Sequence, residues 1–303
     1  MPYIHKIIEA GNTQEHRKYY NGRYKAKIKN SPAQKETPQN QKDYQDRKAE
    51  DDVRRLIDNN FYFEDYWVTL CYPAWSRPSV QQVKKDIDSF LNKLRRRYKK
   101  NNAVLKYVYT VGRGDRGAVH FHFVLNANIS QSEISEIWWS VAGNEKNPYP
   151  RVNFRILDKS GYYGKIAAYL IKNSKETFWS EERIFGKRYC TSTTLKRPEP
   201  EIHVVSANTW REEPRPPKGY YLLKDSLYSG IDKENGYPYQ KYIFVRINSI
   251  DIRFESEKRK KSSKKKPRNK LKLKSNIKPK RHNRITSTYE DKKEKRKRVK
   301  SGG

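Results

Sequence analysis

Apolar and polar positions along the chain repeat with two periods, and the changes between them mark out the elements. The run Tyr66-Trp67-Val68-Thr69-Leu70-Cys71-Tyr72 is dense in β-branched and aromatic residues and stops at Pro73, which predicts a strand. From Ser79 to Lys100, Val80, Val83, Ile87, Phe90, Leu91, Leu94 and Tyr98 recur every three or four residues, the spacing of an amphipathic helix. Ser79 and Gln82 have capping-box spacing at its start, and Arg95, Arg96 and Arg97 sit near its end, where cations offset the helix dipole. Leu105–Val111 and Val119–Asn126 read as strands joined by the Gly-rich turn 112–117, hence as an antiparallel hairpin. Ser130 with Glu133 caps a further helix through Trp138 and Trp139, Arg151–Leu157 is a fourth strand, and Ser160–Lys172 is a short helix. The order predicts an α+β fold: an antiparallel sheet of about five strands with helices packed on one side.

Outside that block the pattern weakens. Residues 1–60 read as a basic N-terminal extension: 1–50 are polar, Asn30–Gln41 resembles a linker, and Ala49–Asn59 a short helix. The folded core is expected from near Phe61, with residues 61–180 as the main domain and 181–252 as an accessory β-rich region containing strands at Ile202–Val205 and Tyr242–Ile247. Residues 253–303 carry 23 Lys and Arg against five acidic residues, too polar to bury a core and expected to be disordered.

Charge adds a partner. The chain has a net charge of +33, of which +18 lies in that tail and +15 in residues 1–252, so the folded part is itself basic. Such a surface attracts polyanions, and nucleic acid is the expected partner. Two cysteines far apart in sequence, Cys71 and Cys190, exclude a disulfide framework and a cysteine-based zinc site. No apolar run reaches membrane-spanning length and no secretory leader is evident, so a cytoplasmic protein without a membrane partner is expected.

Two segments carry candidate chemistry. In Val119-His120-Phe121-His122-Phe123-Val124-Leu125-Asn126, alternation puts His120 and His122 on one face, where two imidazoles can hold one divalent ion. A pair of hydrogen-bonded strand histidines is the plainer alternative. In the segment from Gly161 to Asn173, with Lys165 at zero on a helical wheel, Tyr169 falls near 40°, Lys172 near −20° and Tyr162 near 60°. Tyr163, Ile166, Ala167, Leu170 and Ile171 fill the opposite, apolar arc. Lysines flanking a tyrosine would favour its phenolate and bind the phosphate it attacks; an amphipathic helix with an exposed Tyr-Lys face is the alternative.

Together these segments resemble the HUH endonucleases, in particular rolling-circle replication initiators of plasmids, phages and mobile elements. The resemblance rests on three motifs in order: the apolar strand Trp67–Pro73, His120-Phe121-His122, and Ile166-Ala-Ala-Tyr169-Leu-Ile-Lys172. It implies an HUH/RRM-like core that nicks single-stranded origin DNA. Tyr169 would be the nucleophile, forming a 5′-phosphotyrosine and releasing a 3′-hydroxyl. Lys172 would support the phenolate or phosphate, and His120 and His122 would ligate Mg²⁺ or Mn²⁺. A host polymerase and helicase are the implied partners.

The sequence departs from that pattern at one place. Related initiators carry a carboxylate ligand where this chain has Gly112 or Arg113, so Asp115 is the nearest substitute, with Glu64 or Asp65 as further options. Arg113, Arg116, Lys165 and Tyr162 are expected DNA contacts. Trp138, Trp139 and Tyr163 are possible stacking residues, with Trp138 better placed in the core. A catalytically degenerate DNA-binding protein of the same fold, and a relaxase or transposase using the same chemistry, are the alternative readings.

Overall fold

The computed structural model describes residues 3–21, 38–73, 75–114, 117–181, 183–205, 210–231 and 236–247. In chain order they form β1 (Tyr3–Ala10), β2 (Thr13–Tyr20), α1 (Pro38–Asn60), β3 (Tyr66–Cys71), α2 (Val80–Lys100), β4 (Tyr107–Arg113), β5 (Val119–Leu125) and α3 (Gln131–Ala142). There follow β6 (Val152–Ile156), α4 (Gly164–Trp179), β7 (Cys190–Thr191), β8 (Pro200–Val205), β9 (Tyr220–Leu222), β10 (Tyr228–Ile231) and β11 (Pro238–Arg246). The class is α+β, as expected. The five-stranded antiparallel sheet runs β6-β3-β5-β4-β7. A second antiparallel sheet runs β10-β11-β2-β1-β8, with β9 paired to β11.

Helices cover both faces of the five-stranded sheet, not one. On one face Val119, Phe121, Phe123 and Leu125 of β5 pack with Val83, Ile87, Phe90 and Leu94 of α2 and with Trp138 of α3. On the other, Val124 and Val108 pack with Val53, Leu56 and Ile57 of α1 and Ala167, Leu170 and Ile171 of α4. Each fully buried large side chain contributes roughly 1.5–3 kcal/mol of transfer free energy. The second face escaped prediction because along β5 it presents His120, His122 and Val124, a largely polar row. The predicted starts of α2 and α3 hold: Ser79 Oγ accepts the Gln82 N–H at 3.2 Å, and Ser130 and Glu133 close a reciprocal capping box.

Ordered structure also reaches back well before Phe61. β1 and β2 form a hairpin about Gly11, whose φ of 62° suits a tight two-residue turn. On β2 the inward row is polar, which hid that strand from a search for apolar alternation, while Ile8 and Ala10 beside it on β1 are buried. Buried Glu15 accepts from Arg54, Arg55 and Arg17, while Asp58 accepts from Arg54 Nη1 at 3.0 Å and Thr13 Oγ1 at 3.1 Å. Burial of Glu15 opposes its charge, but the surrounding guanidiniums dominate and hold its carboxyl down to about 2. α1 itself begins at Pro38, inside the stretch read as a linker, since proline suits the first helical turn. The rest of that linker and the basic tail lie outside the described residues.

Candidate active site

The site is built on the α4-facing side of the five-stranded sheet. Strand register sets two rows of side chains across it. One runs Cys71, His120, Gly112 and the next runs Asn153, Thr69, His122, Thr110. α4 lies over β4, and α1 packs beside α4. The β3–β6 side of the sheet is left open as a cavity of about 1000 Å³, bordered by His120, His122, Thr69, Trp67 and Tyr169.

The two imidazoles stand 4.8 Å apart, ring centre to ring centre, nearly perpendicular. His120 Nδ1 lies 3.3 Å from the Ala118 carbonyl, which can only accept, so this contact assigns the proton to Nδ1 and leaves the Nε2 lone pair free. His122 Nδ1 is 3.1 Å from Thr69 Oγ1, and its Nε2 is buried without a hydrogen-bond partner among the described residues. Burial pushes His122 down to about 3, helped by neighbouring His120, and burial also lowers His120. Both rings are therefore neutral at physiological pH, the state in which imidazole binds a metal.

Tyr169 is on the face of α4 that meets this pair. Its ring lies 5.0 Å from that of His122 and 5.0 Å from that of Trp67, edge-on to both, and the residue is 39 % exposed. The helix is held by Leu170 and Ile171, which are buried on its other side. The phenol and the imidazole pair thus meet at the cavity, as the two motifs together had suggested.

Other predicted residues are placed elsewhere. α4 starts at Gly164 rather than Ser160, so Tyr162 precedes the helix and the wheel does not apply to it. Its ring folds over Gly164, near Arg54 and Asp58, and it does not border the cavity. Lys165 and Lys172 are exposed on α4 without bordering the cavity. Arg113 pairs with Val119, on the opposite face from the histidines. Asp115 and Arg116 fall outside the described residues. Asp65 is buried and accepts the N–H groups of Tyr62 and Ala127, both at 2.8 Å, a structural role instead of a reach into the site. Trp138 is fully buried, Tyr163 is core, and Trp139 Nε1 donates to the Pro150 carbonyl.

A divalent ion would find two nitrogen donors here. No group of three metal-ligating side chains occurs among the described residues. Gly112 is opposite His120, and a Cβ there would lie 2.8 Å from the Asn173 carbonyl oxygen and 2.9 Å from His120 Nε2. That position has no room for a carboxylate.

Reasoning from sequence missed the cavity's cations. Arg151, Asn153 and Arg155 alternate with Val152, Phe154 and Ile156, and all three are exposed. Arg155 lies over the Trp67 ring at 5.2 Å. With Arg77 these arginines supply the charge bordering the cavity, and no carboxylate borders it among the described residues. The signal was legible in the alternation of 151–156, which had been used only to infer a strand.

Residues 65–176 match the family "Replication-associated protein ORF2/G2P". The match runs from just before β3 into α4 and takes in both histidines, Tyr169 and Lys172. It covers somewhat over a third of the chain and is consistent with a rolling-circle replication initiator. Neither the curated proteins nor the solved structures give a match. No helix among the described residues is long and apolar enough to cross a membrane.

Proposed function

We propose that the protein is a rolling-circle replication initiator that nicks single-stranded origin DNA through Tyr169. The observation that carries this reading is the approach of the Tyr169 ring to the His120–His122 pair beside a cation-lined cavity. Tyr169 Oη would attack the scissile phosphorus in line as the P–O3′ bond breaks. The phenol proton passes to water, the 5′-phosphate stays on the tyrosine, and the 3′-oxygen takes up a proton and becomes a primer end for a polymerase. The Nε2 atoms of His120 and His122 would be the donors to Mg²⁺ or Mn²⁺, whose chemistry when bound would be charge stabilisation at the phosphate. Thr69 holds His122, and the Ala118 carbonyl holds His120, in the orientation that presents those atoms. Lys172, exposed on α4 three residues past Tyr169 and outside the cavity lining, would support the phosphate or phenolate only by extending toward it, and a helicase is the expected partner for opening the duplex ahead of the polymerase.

The test is a covalent adduct. Full-length protein, Mn²⁺ and single-stranded origin DNA should give a band that survives denaturation and is absent in Tyr169→Phe. Undiminished nicking by Tyr169→Phe would remove Tyr169 from the chemistry. A second reading is favoured by the closure around Gly112: a DNA-binding protein of the same fold that does not cleave. It predicts bound DNA and no adduct at any metal concentration. Use of the same chemistry by a relaxase or transposase would give the same adduct but on a transfer or transposon-end sequence.

A further inference from the structure

β6 is an edge strand of the five-stranded sheet, and its Arg151, Asn153 and Arg155 share the cavity face. Successive members of this row are roughly 6.8 Å apart along the strand, a spacing that an extended nucleic-acid backbone can follow. Asn153 is in register with Thr69, the residue bonded to His122. Arg155 is in register with Trp67 and lies over its ring, and Trp67 also touches Tyr169. Its guanidinium carbon is 5.2 Å from the indole centre, within cation–π range. A planar cation so held can offer a face to a base and its N–H edge to a phosphate.

We propose that Arg155, steadied on Trp67, is the stacking platform for the nucleobase next to the phosphate addressed by Tyr169. Asn153 presents its amide to an edge of that base, and Arg151 neutralises the next phosphate along β6. The placement relative to the scissile phosphate rests on the nicking reading above; the subsite itself does not. Asn153 makes this the point at which the strand's sequence is read. An amide can pair two-fold with adenine, so a preference for adenine at one position is expected.

The experiment uses the full chain carrying Tyr169→Phe, so that binding is measured without cleavage, and fluorescein-labelled single-stranded oligonucleotides in anisotropy titrations at several salt concentrations. Arg155→Lys keeps the charge and loses the plane. It should weaken binding roughly tenfold with the salt dependence unchanged, the effect of losing one stacked base. Arg151→Ala should lower the slope of log affinity against log salt by about 0.7, one single-strand phosphate contact. Asn153→Ala should abolish any preference among oligonucleotides differing at one base. Lys85→Ala, exposed on α2 across the sheet, should stay within twofold of the parent. The subsite is overturned if Arg155→Lys also stays within twofold, or if Lys85→Ala weakens binding equally. The two ideas separate cleanly. An adduct formed by the chain with Tyr169 intact, together with an unaffected Arg155→Lys, sinks the subsite alone; a tenfold loss from Arg155→Lys, when the chain with Tyr169 intact forms no adduct on origin DNA, sinks the nicking reading alone.

Discussion

Placing a carboxylate at Gly112, on the first strand of the β4–β5 hairpin, is the first substitution that a comparison of motifs would suggest, and the geometry says it fails. Gly112 is buried on β4, where α4 passes closest. A Cβ would sit 2.8 Å from the Asn173 carbonyl oxygen, 2.9 Å from His120 Nε2 and 3.3 Å from His120 Cε1. Carbon-to-oxygen contacts ordinarily open to about 3.3–3.6 Å, so the shortfall is roughly 0.5 Å or more. The imidazole can swing away; the Asn173 carbonyl is backbone and moves only with α4. Overpacking of this kind costs about 1–3 kcal/mol, and replacing glycine returns about 0.4–1 kcal/mol through the unfolded chain.

Gly112→Ala should therefore lose about 1–2 kcal/mol net and melt a few degrees lower, given roughly 2–4 °C per kcal/mol at this size. Gly112→Asp should lose more, because it also places a charge in a buried position. Thermal unfolding followed by circular dichroism reads the stability, with Gly186→Ala as the control because nothing lies within 4 Å of a Cβ there. Calorimetric titration with Mn²⁺ reads the site, and Gly112→Asp should bind no more tightly than the parent because displacing His120 removes one donor as it adds another. If Gly112→Ala melts as high as the parent, or Gly112→Asp gains Mn²⁺ affinity, the account of β4 and α4 closing that position is wrong.

Two further outcomes follow from the same contacts. Thr69→Val removes the hydroxyl beside His122 Nδ1 and should reduce metal affinity about tenfold, with Thr69→Ser restoring it; equal affinity in Thr69→Val would deny the threonine its orienting role. Glu15→Gln should cost roughly 3 kcal/mol at pH 7 by breaking the buried cluster with Arg54. The native carboxyl, at about 2, lies below the ordinary 4.5, so its contribution is complete above pH 4.5 and disappears as pH falls through 2. Urea titrations of both proteins from pH 7 to pH 2 should show the gap closing over that window, and a gap independent of pH would refute the assignment.

What could be read from the sequence divides along physical lines. α2 was legible because its apolar residues keep one period and face one core, and the β4–β5 hairpin because two apolar runs flank a Gly-rich turn. The imidazole pair followed from parity alone, and Tyr169 from the wheel, because α4 is helical across that stretch. Tyr162 did not, since the helix begins two residues later and its phase was extended past the true start. β2 was invisible for a different reason: its inward face carries Thr13, Glu15 and Arg17, whose burial depends on partners 34 to 45 residues away. Periodicity detects apolar burial, and a buried ionic network has no such signature. The cleft arginines of β6 alternate plainly, yet an edge strand over a solvated groove has the same pattern as one facing bulk water.

That ambiguity is what the polar row across the sheet resolves. Asn153, Thr69, His122 and Thr110 occupy one register line, with His122 and Thr110 each buried at 2 % exposure. Among the described residues His122 Nε2 and Thr110 Oγ1 have no hydrogen-bond partner, and a buried polar group that stays unpaired costs about 1–3 kcal/mol. A sheet selected for stability alone would carry Val or Ile at both positions, as it does at Val108 and Val124 on the same face. His122 is also too weakly basic in this setting to exchange a proton near neutrality, which leaves an acid–base role without support. A neutral imidazole, oriented by a hydroxyl and placed against a tyrosine ring at the mouth of a cationic cleft, fits a donor to a cation that in turn holds phosphate. The instability is then the physical cost of the function proposed for it.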